Sequence, residues 1–549
     1  MAKSSSSSSS HSIDLRSGYC PETKTFRDLR PPVPFPSETV PLSAASLALS
    51  LQSASPWRDA TALIDSATGH RVSYSEFQRF TRNLASALRT TVGLCKNDVA
   101  FVISPNLISV PVLYFALLSL GIIISPANPL STSEEISRLI SISTPVIAFA
   151  TSATADKLPK LKYPTILIDS PEFESMMERK SLDFEFRDVE ISQNDVAAIL
   201  YSSGTTGKVK GVLLTHRNFI AVTVPYYHSQ QQERLFPPVM LYTIPYFHVF
   251  GFFFSLKSVA MSETAVVMGR FELRRMLRAV QEYKVTHVAM APPVVVAMLN
   301  AIESEDYDLR SLEWVGCGGA PLGKDSIKSF TEKFPTVILA QGYGLTETTG
   351  VACRAMGPEE SRRWGSVGRL VESYEAKIVD PETGIALPPG KQGELWIRGP
   401  SVMKGYLDDS KATSETLFSD GWLRTGDVCY FDNEGFLFVV DRLKELIKYK
   451  GYQVAPAELE QLLQSHPEIV DAAVIPYPDE EAGQVPLACV VRRPQSSLDE
   501  AQVLDFIAKR VAPYKKVRRV VFISSIPKSP AGKILRKELR KNWLPESKL

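Results

Sequence analysis

From about residue 71 the chain alternates between segments of helical periodicity and short apolar segments. Residues 110–120 form the most apolar stretch, and Val99–Ile103 before it and residues 122–125 after it are almost entirely apolar. Strands with one face in water alternate apolar and polar residues, whereas strands buried on both faces are apolar throughout. The pattern therefore predicts a buried helix between two buried strands, in a parallel sheet that helices cover on both faces.

The same alternation continues on both sides of this unit. Apolar residues recur at helical spacing over residues 77–88, with Ser75 as a candidate N-cap, and a further helix is predicted near residues 134–140. Strands are predicted at residues 146–150 and 165–168. These elements extend the predicted α/β lobe along the chain.

The pattern changes after residue 372. Residues 372–440 contain short predicted strands separated by Pro, Gly and Asp, which indicates an antiparallel or barrel-like lobe. After Asp441 the predicted elements are helix 456–465, strands 471–475 and 487–492, helix 500–511, strand 517–524 and a basic tail. We therefore predict an α/β protein, with a large N-terminal lobe of two doubly wound β-sheets plus a distorted β-barrel at residues 21–441. A small mobile α+β domain is predicted at residues 442–549.

The two termini carry different signals. A seven-serine run at residues 4–10 has no apolar block behind it, so we predict a disordered tail at residues 1–20 and no signal peptide. The chain ends in Ser547, Lys548 and Leu549, the tripeptide that peroxisomal import receptors read at a free carboxy terminus. This ending predicts a peroxisomal location and an import receptor as a partner.

Charge and composition exclude several classes of protein. The 549 residues carry 61 basic and 60 acidic side chains, so nothing favours nucleic acid or an anionic membrane as the main partner. No apolar stretch reaches the roughly 20 unbroken residues of a membrane span. Six scattered cysteines without a CxxC pair indicate reduced thiols, and the seven scattered histidines offer no metal-ligand spacing.

The strongest local signal for chemistry is YSSGTTGKVKG at residues 201–211, directly after an apolar strand predicted at residues 196–200. Hydroxyls, glycines and lysines at the end of a strand can surround phosphate oxygens with N–H groups and positive charge. The segment is not a Walker A motif, because Val209 follows Lys208 where that motif has Ser or Thr. A surface turn, the alternative, would not need so dense a set of these residues.

Three further segments carry residues suited to a nucleotide. QGYGLTE at residues 341–347 combines glycines that allow close approach to a planar ligand with a hydroxyl for phosphate and a carboxylate for Mg²⁺. GWLRTGD at 421–427, followed by DRLKE at 441–445, offers an aspartate for ribose hydroxyls and an arginine for ribose or phosphate. PKSPAGKILR at 527–536 can carry a lysine into a cleft. Alone, each also fits an ordinary loop, a surface ion pair or a solvated basic tail.

Together, in this order and spacing, the four segments resemble the adenylate-forming superfamily of acyl-CoA synthetases, luciferases and peptide-synthetase adenylation domains. The run DRLKELIKYKGYQV at residues 441–454 is similar to plant 4-coumarate–CoA ligases and beetle luciferases. The resemblance implies a two-step reaction with Mg²⁺ as cofactor and ATP and CoA as co-substrates. A carboxylate attacks the α-phosphate of ATP to give an acyl-adenylate and pyrophosphate, and a thiol then displaces AMP.

The resemblance also implies roles for particular residues. The residues implied for ATP and AMP are Ser202, Ser203, Gly204, Thr205, Thr206, Gly207 and Lys210 at the β- and γ-phosphates, Gly319, Ala320, Pro321, Gln341, Gly342 and Tyr343 around adenine, Thr346 at the α-phosphate, and Asp427 with Arg442 at the ribose. Glu347 is implied as the Mg²⁺ ligand. Lys533 matches the lysine that bridges the attacking carboxylate and the α-phosphate.

In the second step the family rotates its small domain, and Lys444 lies at the hinge position. That rotation is expected to replace Lys533 with Lys450 and Gly451, beside the CoA arm. Arg270 lies where relatives often carry a basic residue for the CoA nucleotide. The alternative for Lys450 and for Arg270 is a solvated surface charge.

Substrate choice is the point where the sequence departs from coumarate ligases. The resemblance implies an acyl pocket lined by His248, Phe250, Phe254, Gly319, Gly344, Gly350 and Val351, in which His248 closes the site. Coumarate ligases usually have Tyr at the position of Phe250 and Pro in the segment around Gly350, so the phenol-recognising hydroxyl and a wall proline are absent. This favours an aliphatic or oxylipin-type acid.

Other functions remain open at the level of sequence. A 4-coumarate or hydroxycinnamate–CoA ligase is the main alternative, and a luciferase-like oxygenase and a peptide-synthetase module are weaker ones. From another class, the chain could be a non-catalytic nucleotide-binding relative that kept the fold. The joint presence of Thr346, Glu347, Asp427, Arg442 and Lys533 argues against that reading.

Overall fold

The computed structural model describes residues 12–178, 189–202, 209–229, 234–301, 307–320, 322–450, 452–529 and 532–544. Within these residues the strands, in chain order, are β1 (Tyr19–Cys20), β2 (Thr25–Arg27), β3 (Thr61–Asp65), β4 (Arg71–Ser73), β5 (Val99–Ile103), β6 (Ile123–Ala127), β7 (Ile147–Ala150), β8 (Ile166–Leu167), β9 (Val196–Ser202), β10 (Lys210–Thr215), β11 (Val239–Tyr242), β12 (Thr264–Val267), β13 (His287–Met290), β14 (Trp314–Cys317), β15 (Ile338–Tyr343), β16 (Cys353–Arg354), β17 (Arg369–Leu370), β18 (Glu375–Val379), β19 (Ala386–Leu387), β20 (Gly393–Arg398), β21 (Gly405–Tyr406), β22 (Leu423–Phe431), β23 (Leu437–Arg442), β24 (Ile447–Tyr449), β25 (Tyr452–Val454), β26 (Ile469–Asp479), β27 (Gly483–Arg492) and β28 (Arg519–Phe522).

The helices in the same residues are α1 (Ala44–Ser53), α2 (Tyr74–Ala87), α3 (Ser109–Ser119), α4 (Ser133–Ser143), α5 (Pro171–Glu178), α6 (His216–Ser229), α7 (Val249–Ala260), α8 (Leu273–Tyr283), α9 (Pro292–Ala301), α10 (Lys324–Lys333), α11 (Gly357–Ser361), α12 (Ser410–Thr416), α13 (Pro456–Gln464), α14 (Glu500–Ala508) and α15 (Arg536–Trp543). None of them is long and apolar enough to cross a membrane, among the residues that the structure covers.

The described strands form four sheets, and the predicted α/β class with a large N-terminal and a small C-terminal part is confirmed. One sheet has the order β21-β10-β9-β6-β5-β7-β8, and a second has β17-β16-β15-β14-β13-β11-β12-β3-β4. Both are parallel in their centres, as predicted. The second sheet is antiparallel at both edges, and the first is antiparallel at the β21 edge and parallel at the β8 edge. The edges differ because connections such as the seven residues between β9 and β10 are too short for a parallel crossover.

The apolar segments occupy the predicted positions in the first of these sheets. Helix α3 lies between β5 and β6 in sequence, and its side chains from Val110 to Ser119 are all buried. A helix that is apolar on every face is stable only in such an interior. Helix α2 begins two residues earlier than expected, since Ser73 rather than Ser75 is its N-cap. Ser73 forms a capping box with Glu76, and that box satisfies two backbone N–H groups of the first turn.

The third sheet is antiparallel, with the order β1-β2-β18-β20-β22-β23, and β19 pairs with β18. It corresponds to the predicted barrel-like lobe. The predicted disordered tail at residues 1–20 is wrong for residues 12–20, because β1 pairs with β2 and Cys20 is buried. The Phe26 ring in β2 stacks on Phe431 with centroids 4.4 Å apart, and this apolar contact holds the segment on the sheet. Residues 1–11 lie outside the described residues.

The C-terminal sheet has the order β25-β24-β27-β26, with β28 parallel to β27, and helices α13 and α14 cover its own apolar core. The predicted basic tail is instead helix α15. Its Arg536 is largely buried and pairs with Glu460 at 2.6 Å and with Glu445. A buried guanidinium requires such carboxylate partners, and they fix the start of the helix against the domain.

Candidate active site

A cavity of about 2410 Å³ lies between the large lobe and the C-terminal domain. Its walls come from the carboxyl ends of β14 and β15, from β22 and β23, from helix α7 and from the loop before α15. Open α/β sheets place ligand sites at the carboxyl ends of parallel strands. The lining residues that the sequence singled out are Ser202, Lys210, His248, Phe250, Phe254, Arg270, Gly319, Gln341, Gly342, Tyr343, Gly344, Thr346, Glu347, Gly350, Val351, Arg442, Lys444 and Lys533.

Asp427 and Arg442 face each other across the antiparallel pair β22 and β23, where they are register partners. Arg442 Nε lies 3.0 Å from Asp427 Oδ1, and the Tyr343 hydroxyl donates to Asp427 Oδ2 at 2.6 Å. Burial raises the pKa of Asp427, and the charge of Arg442 opposes that rise. Tyr343 and Arg442 line the cleft, and buried Asp427 joins them from behind, so an aromatic ring, a carboxylate and a guanidinium that suit a nucleoside lie together in one polar cluster.

Glu347 lies in a 3-10 turn at Thr346–Thr348, on the wall next to this cluster. Its Oε1 accepts hydrogen bonds from the Ser202 hydroxyl at 2.8 Å and from the Tyr406 hydroxyl at 3.0 Å. Lys210 Nζ lies over the Tyr406 ring, 4.5 Å from its centroid. Two predicted groups for phosphate and metal, Glu347 and Lys210, are therefore joined by Tyr406, which the sequence had not marked.

The donor set around Glu347 fits Mg²⁺ better than a metal that requires an all-protein cage. Mg²⁺ is usually held by one or two carboxylates together with substrate phosphates and water. No group of three His, Cys, Asp or Glu side chains suited to a metal occurs in the described part of the chain. Glu347 lines the cleft beside Thr346 and Ser202, so one carboxylate oxygen can meet an ion that phosphates also hold.

Lys533 lies in the loop before α15, on the side of the cleft that the C-terminal domain supplies. The loop closes on itself, because Ser529 donates its N–H to the Lys533 carbonyl at 2.8 Å and the Ser529 hydroxyl accepts from Lys533 N at 3.2 Å. Gly532 has φ +78° and approaches the large lobe so closely that a Cβ would lie 3.3 Å from Ala291 Cβ. Burial, followed by the nearby charge of Arg442, lowers the pKa of Lys533.

The other predicted cations are distributed differently. Lys444 and Arg270 line the cleft, whereas Lys450 is outside it and pairs with Glu481. Lys450 also has φ +45°, and its N–H donates to the Ala482 carbonyl at 2.9 Å. In this conformation the C-terminal domain therefore presents Lys533, and not Lys450, to the cleft.

The predicted acyl pocket lies on the far side of the glycine-rich turn. His248 is the N-cap of α7, and its Nδ1 accepts from Phe250 N at 3.3 Å. Burial lowers the pKa of His248 to about 4, so the ring is neutral at physiological pH. The Phe250 and Phe254 rings meet edge to face with centroids 4.3 Å apart and form an apolar wall. A Cβ at Gly344 would lie 2.2 Å from the Gly350 carbonyl oxygen, so this close turn requires glycine.

Several predicted residues are not part of this geometry. Ala320 and Asp427 are described but do not line the cavity, and Asp427 reaches it only through its contacts with Arg442 and Tyr343. The predicted residues that lie outside the described part of the chain are Ser203, Gly204, Thr205, Thr206, Gly207, Pro321 and Gly451.

Sequence reasoning missed a buried ion pair on the cavity wall. Arg354 Nη2 lies 3.0 Å from Glu372 Oε1, and its guanidinium covers the Tyr226 ring at 4.1 Å. Both charged side chains are more than nine-tenths buried. No local signal could have revealed this pair, since its two members come from separate segments that only the fold brings together.

Comparisons with known proteins agree with this arrangement. The model of the AMP-binding enzyme family matches residues 51–407, and that of the AMP-binding enzyme C-terminal domain matches residues 458–533. The chain is 52% identical over 542 residues to 4-coumarate–CoA ligase-like 9 of Arabidopsis thaliana, which covers 96% of both chains. It is 46% identical to peroxisomal OPC-8:0-CoA ligase 1 of the same plant, over 98% of this chain and 100% of the relative.

Solved structures show the same fold. ATP-bound MatB of Rhodopseudomonas palustris superposes with a TM-score of 0.81 at 26% identity, covering 91% of this chain and 99% of that one. The o-succinylbenzoate CoA synthetase of Bacillus subtilis, in complex with its acyl-adenylate intermediate, gives a TM-score of 0.78 at 27% identity, covering 90% and 97%.

Proposed function

The chain belongs to the AMP-binding enzyme family and is an acid–thiol ligase that acts through an acyl-adenylate, and on that premise we propose that its acid is aliphatic or oxylipin-type. One observation carries the proposal. Arg442, Glu347 and Lys533 line a cleft that continues into an apolar chamber walled by phenylalanine rings, and buried Asp427 lies directly behind Arg442. A nucleotide and an apolar acid can therefore meet at one point.

The nucleotide occupies the polar wall. Tyr343 offers its ring to adenine, and Asp427 accepts hydrogen bonds from the ribose hydroxyls. Arg442 fixes the carboxylate of Asp427 and contributes a positive charge. Gly319, Ala320, Pro321, Gln341 and Gly342 are proposed around the base, and the loop of Ser202 to Gly207 with Lys210 at the outer phosphates. Binding of this kind fixes the α-phosphate in one position relative to the acid.

In the first step a carboxylate oxygen of the acid forms a bond to the α-phosphorus, and the bond from that phosphorus to the pyrophosphate oxygen breaks. The pyrophosphate leaves with the electron pair of that bond. Negative charge gathers on the α-phosphate oxygens, where Lys533 and the hydroxyl of Thr346 stabilise it. Glu347 would hold Mg²⁺, which supplies neutralising charge to the phosphates when bound.

In the second step the CoA sulfur forms a bond to the acyl carbon as its thiol proton passes to solvent. The bond from that carbon to the phosphate oxygen of AMP breaks, and AMP leaves with the electron pair. We propose that the C-terminal domain rotates about Lys444 between the steps, so that Lys450 and Gly451 replace Lys533 at the cleft. Arg270, which lines the cavity mouth and is exposed, would contact the CoA nucleotide. His248 would close the acyl site during adenylation, as a neutral ring that adds no charge next to the acid.

The preference for an aliphatic or oxylipin-type acid rests on the pocket wall. Phe250 carries no hydroxyl that could form a hydrogen bond with a phenol. Its ring packs on Phe254 as part of a continuous apolar surface. An apolar wall without a polar partner leaves a phenol hydroxyl unsatisfied, which costs binding free energy. The similarity to a relative named as an OPC-8:0-CoA ligase supports the same direction.

A panel of carboxylic acids tests this function. Purified protein with ATP, Mg²⁺ and CoA should release AMP with medium-chain, long-chain and oxylipin acids at a higher kcat/KM than with 4-coumarate. Phe250→Tyr should raise kcat/KM for 4-coumarate. A ranking with 4-coumarate above every fatty and oxylipin acid would assign the alternative hydroxycinnamate–CoA ligase. The absence of acid-dependent ATP–pyrophosphate exchange with every acid would assign a non-catalytic nucleotide-binding protein.

We also propose that the protein acts in the peroxisome, through recognition of Ser547, Lys548 and Leu549 by the import receptor. These three residues lie outside the described part of the chain. The name of the 46% identical relative, which includes the word peroxisomal, supports the proposal. A fluorescent protein fused to the amino terminus should enter peroxisomes, and deletion of the last three residues should leave it in the cytosol. An unchanged location after the deletion would contradict the proposal.

A further inference from the structure

The cavity extends far beyond His248, along one face of the sheet that contains β14 and β15. It is lined by residues at both ends of β15, from Gly344 to Ile338, and by Trp314 at the start of β14. Six residues of strand span about 20 Å at roughly 3.3 Å per residue. Helix α7 forms the opposite wall, and the 13 residue steps from His248 to Met261 also span about 20 Å at 1.5 Å per residue. The acyl pocket is therefore one part of a long channel.

The side chains on the channel face of these strands change in size along its length. On β15 the channel lining includes the alternate positions Gly342, Ala340 and Ile338, and on β14 it includes Gly316 and Trp314. Toward the nucleotide end Gln341, Tyr343 and Cys317 also line the cavity, whereas Val315 and Leu339 belong to a separate core on the other face. The channel floor is bare backbone near the nucleotide and bulky at its far end.

Trp314 determines the shape of that far end. Its indole lies back over Gly316, where a Cβ would come within 2.1 Å of the ring. The ring also lies near His287, with centroids 5.8 Å apart and planes tilted by 31°. Gly316 is the register partner of Ala340, so the indole covers the floor at that level. From Gly344 to Ala340 the open floor is about 13 Å long, at roughly 3.3 Å per residue.

The space beyond the indole has a different character. Arg234 and Glu313 line it and form an ion pair at 2.8 Å, with 26% and 48% of their side chains exposed. This charged and partly exposed end of the channel does not block an acyl chain by steric contact alone. The indole of Trp314 is therefore the bulky apolar group between the open floor and this polar end.

We propose that Trp314 is a specificity-determining residue, whose indole supports the distal part of the acyl group and sets how far an unbranched chain extends toward Arg234 and Glu313. The inference rests on the proposed function, since the acyl group must enter from the His248 side. An extended chain advances about 1.3 Å per carbon, from single bonds of about 1.5 Å in a zigzag. The open floor then suits about ten carbons, and the whole channel about fifteen.

The test measures chain-length preference in the full-length protein. We expect kcat/KM for straight-chain saturated acids from hexanoic to hexadecanoic acid to be highest near ten carbons. Trp314→Ala should raise the ratio of the fourteen-carbon to the ten-carbon acid at least tenfold, and Trp314→Phe should have an intermediate effect. Trp364→Ala is the matched control, because that tryptophan is 38% exposed and does not line the cavity. An unchanged ratio in an active Trp314→Ala protein would overturn the inference.

A binding measurement separates this inference from the proposed function. Acyl sulfamoyl adenosines of six to sixteen carbons mimic the acyl-adenylate and need no turnover, so their Kd values give the depth of the channel directly. Trp314→Phe, the milder variant, should shift the tightest-binding length toward longer chains while the control does not. The same optimum in wild type and Trp314→Phe would overturn the role of Trp314, even where ligase activity is intact. Failure of every acid to react would overturn the proposed function, whatever the Kd profile.

Discussion

Replacement of Lys533 by alanine should separate the two chemical steps. In the described conformation Lys533 belongs to the C-terminal domain and yet lines the cleft together with Arg442. Lys450 faces away from the cleft. We therefore expect the lysine to serve the phosphate chemistry of the first step, and the second step is proposed to occur after it has left the site.

The size of the effect follows from the surroundings of the ammonium group. Two unit charges 4 Å apart interact by about 4 kcal/mol at an effective dielectric constant near 20, the value suited to a partly buried site. About 1.4 kcal/mol corresponds to a tenfold change in rate. Lys533→Ala should therefore slow adenylation about 10³-fold, in line with the loss of one preorganised charge-stabilising group.

Two assays on the same protein measure the two steps. Acid-dependent ATP–pyrophosphate exchange reports adenylation, and thioester formation from supplied acyl-AMP and CoA reports the second step. The exchange rate should fall about 10³-fold, whereas the thioester rate should stay within a few-fold of wild type. Lys509→Ala is the matched control, since Lys509 is 68% exposed on α14's C-terminal end and pairs with Asp505. Equal loss of both steps in Lys533→Ala would refute the assigned role.

The lowered pKa of Lys533 adds a second readout. Its ammonium form is lost as pH rises through a value below the ordinary 10.5, so the adenylation rate should decline on the alkaline side before that pH. Arginine keeps its charge throughout this range. The residual adenylation of Lys533→Arg should therefore lack the alkaline decline, and a decline at the same pH in that variant would assign it to another group.

Four further predictions concern other parts of the molecule. Gly344→Ala should lower both adenylation and Tm, because its Cβ would meet a backbone oxygen at 2.2 Å, whereas Gly323→Ala, which meets nothing within 4 Å, should change neither. Burial lowers the pKa of His216 from 6.5 to about 4. Between these two pH values the unfolded chain therefore takes up a proton on His216 and the folded chain does not. The free energy of unfolding should therefore fall as pH decreases from 7 to 5. In His216→Gln, which cannot take up this proton, the fall measured by urea unfolding should be smaller by about 2 kcal/mol, at about 1.4 kcal/mol per pKa unit. Arg354→Met should lower the free energy of unfolding by roughly 3–5 kcal/mol, since it leaves a buried carboxylate unpaired, and a second substitution that removes the carboxylate should recover much of this loss. In the native protein a thiol reagent should modify one cysteine rapidly, the exposed Cys95, and a second fast thiol would contradict the buried positions of the others.

The elements that sequence predicted well are those with a strong local pattern. Val99–Ile103 is a strand and the apolar run after it is helix α3, because uniform burial selects apolar residues at every position. Errors arose where local pattern and tertiary contact disagree. The basic composition after the predicted strand at 517–524 indicated a basic tail, but Arg536 pairs with two largely buried carboxylates and begins helix α15. Residues 12–20 follow the serine run and were predicted to be disordered. They instead contribute β1, which pairs with β2, and β2 in turn pairs with β18 far along the chain.

Sequence alone was sufficient to predict a nucleotide-dependent ligase, because glycines, hydroxyls and charges suited to phosphate and ribose must occur in short, nearly contiguous segments to form a loop or a strand end. Only the tertiary structure decided how those segments meet and what surrounds them. The Tyr406 hydroxyl on Glu347 and the Trp314 indole over Gly316 are examples. The physical reason is that contacts across the fold depend on strand order and register, which set distances between residues that no local pattern relates.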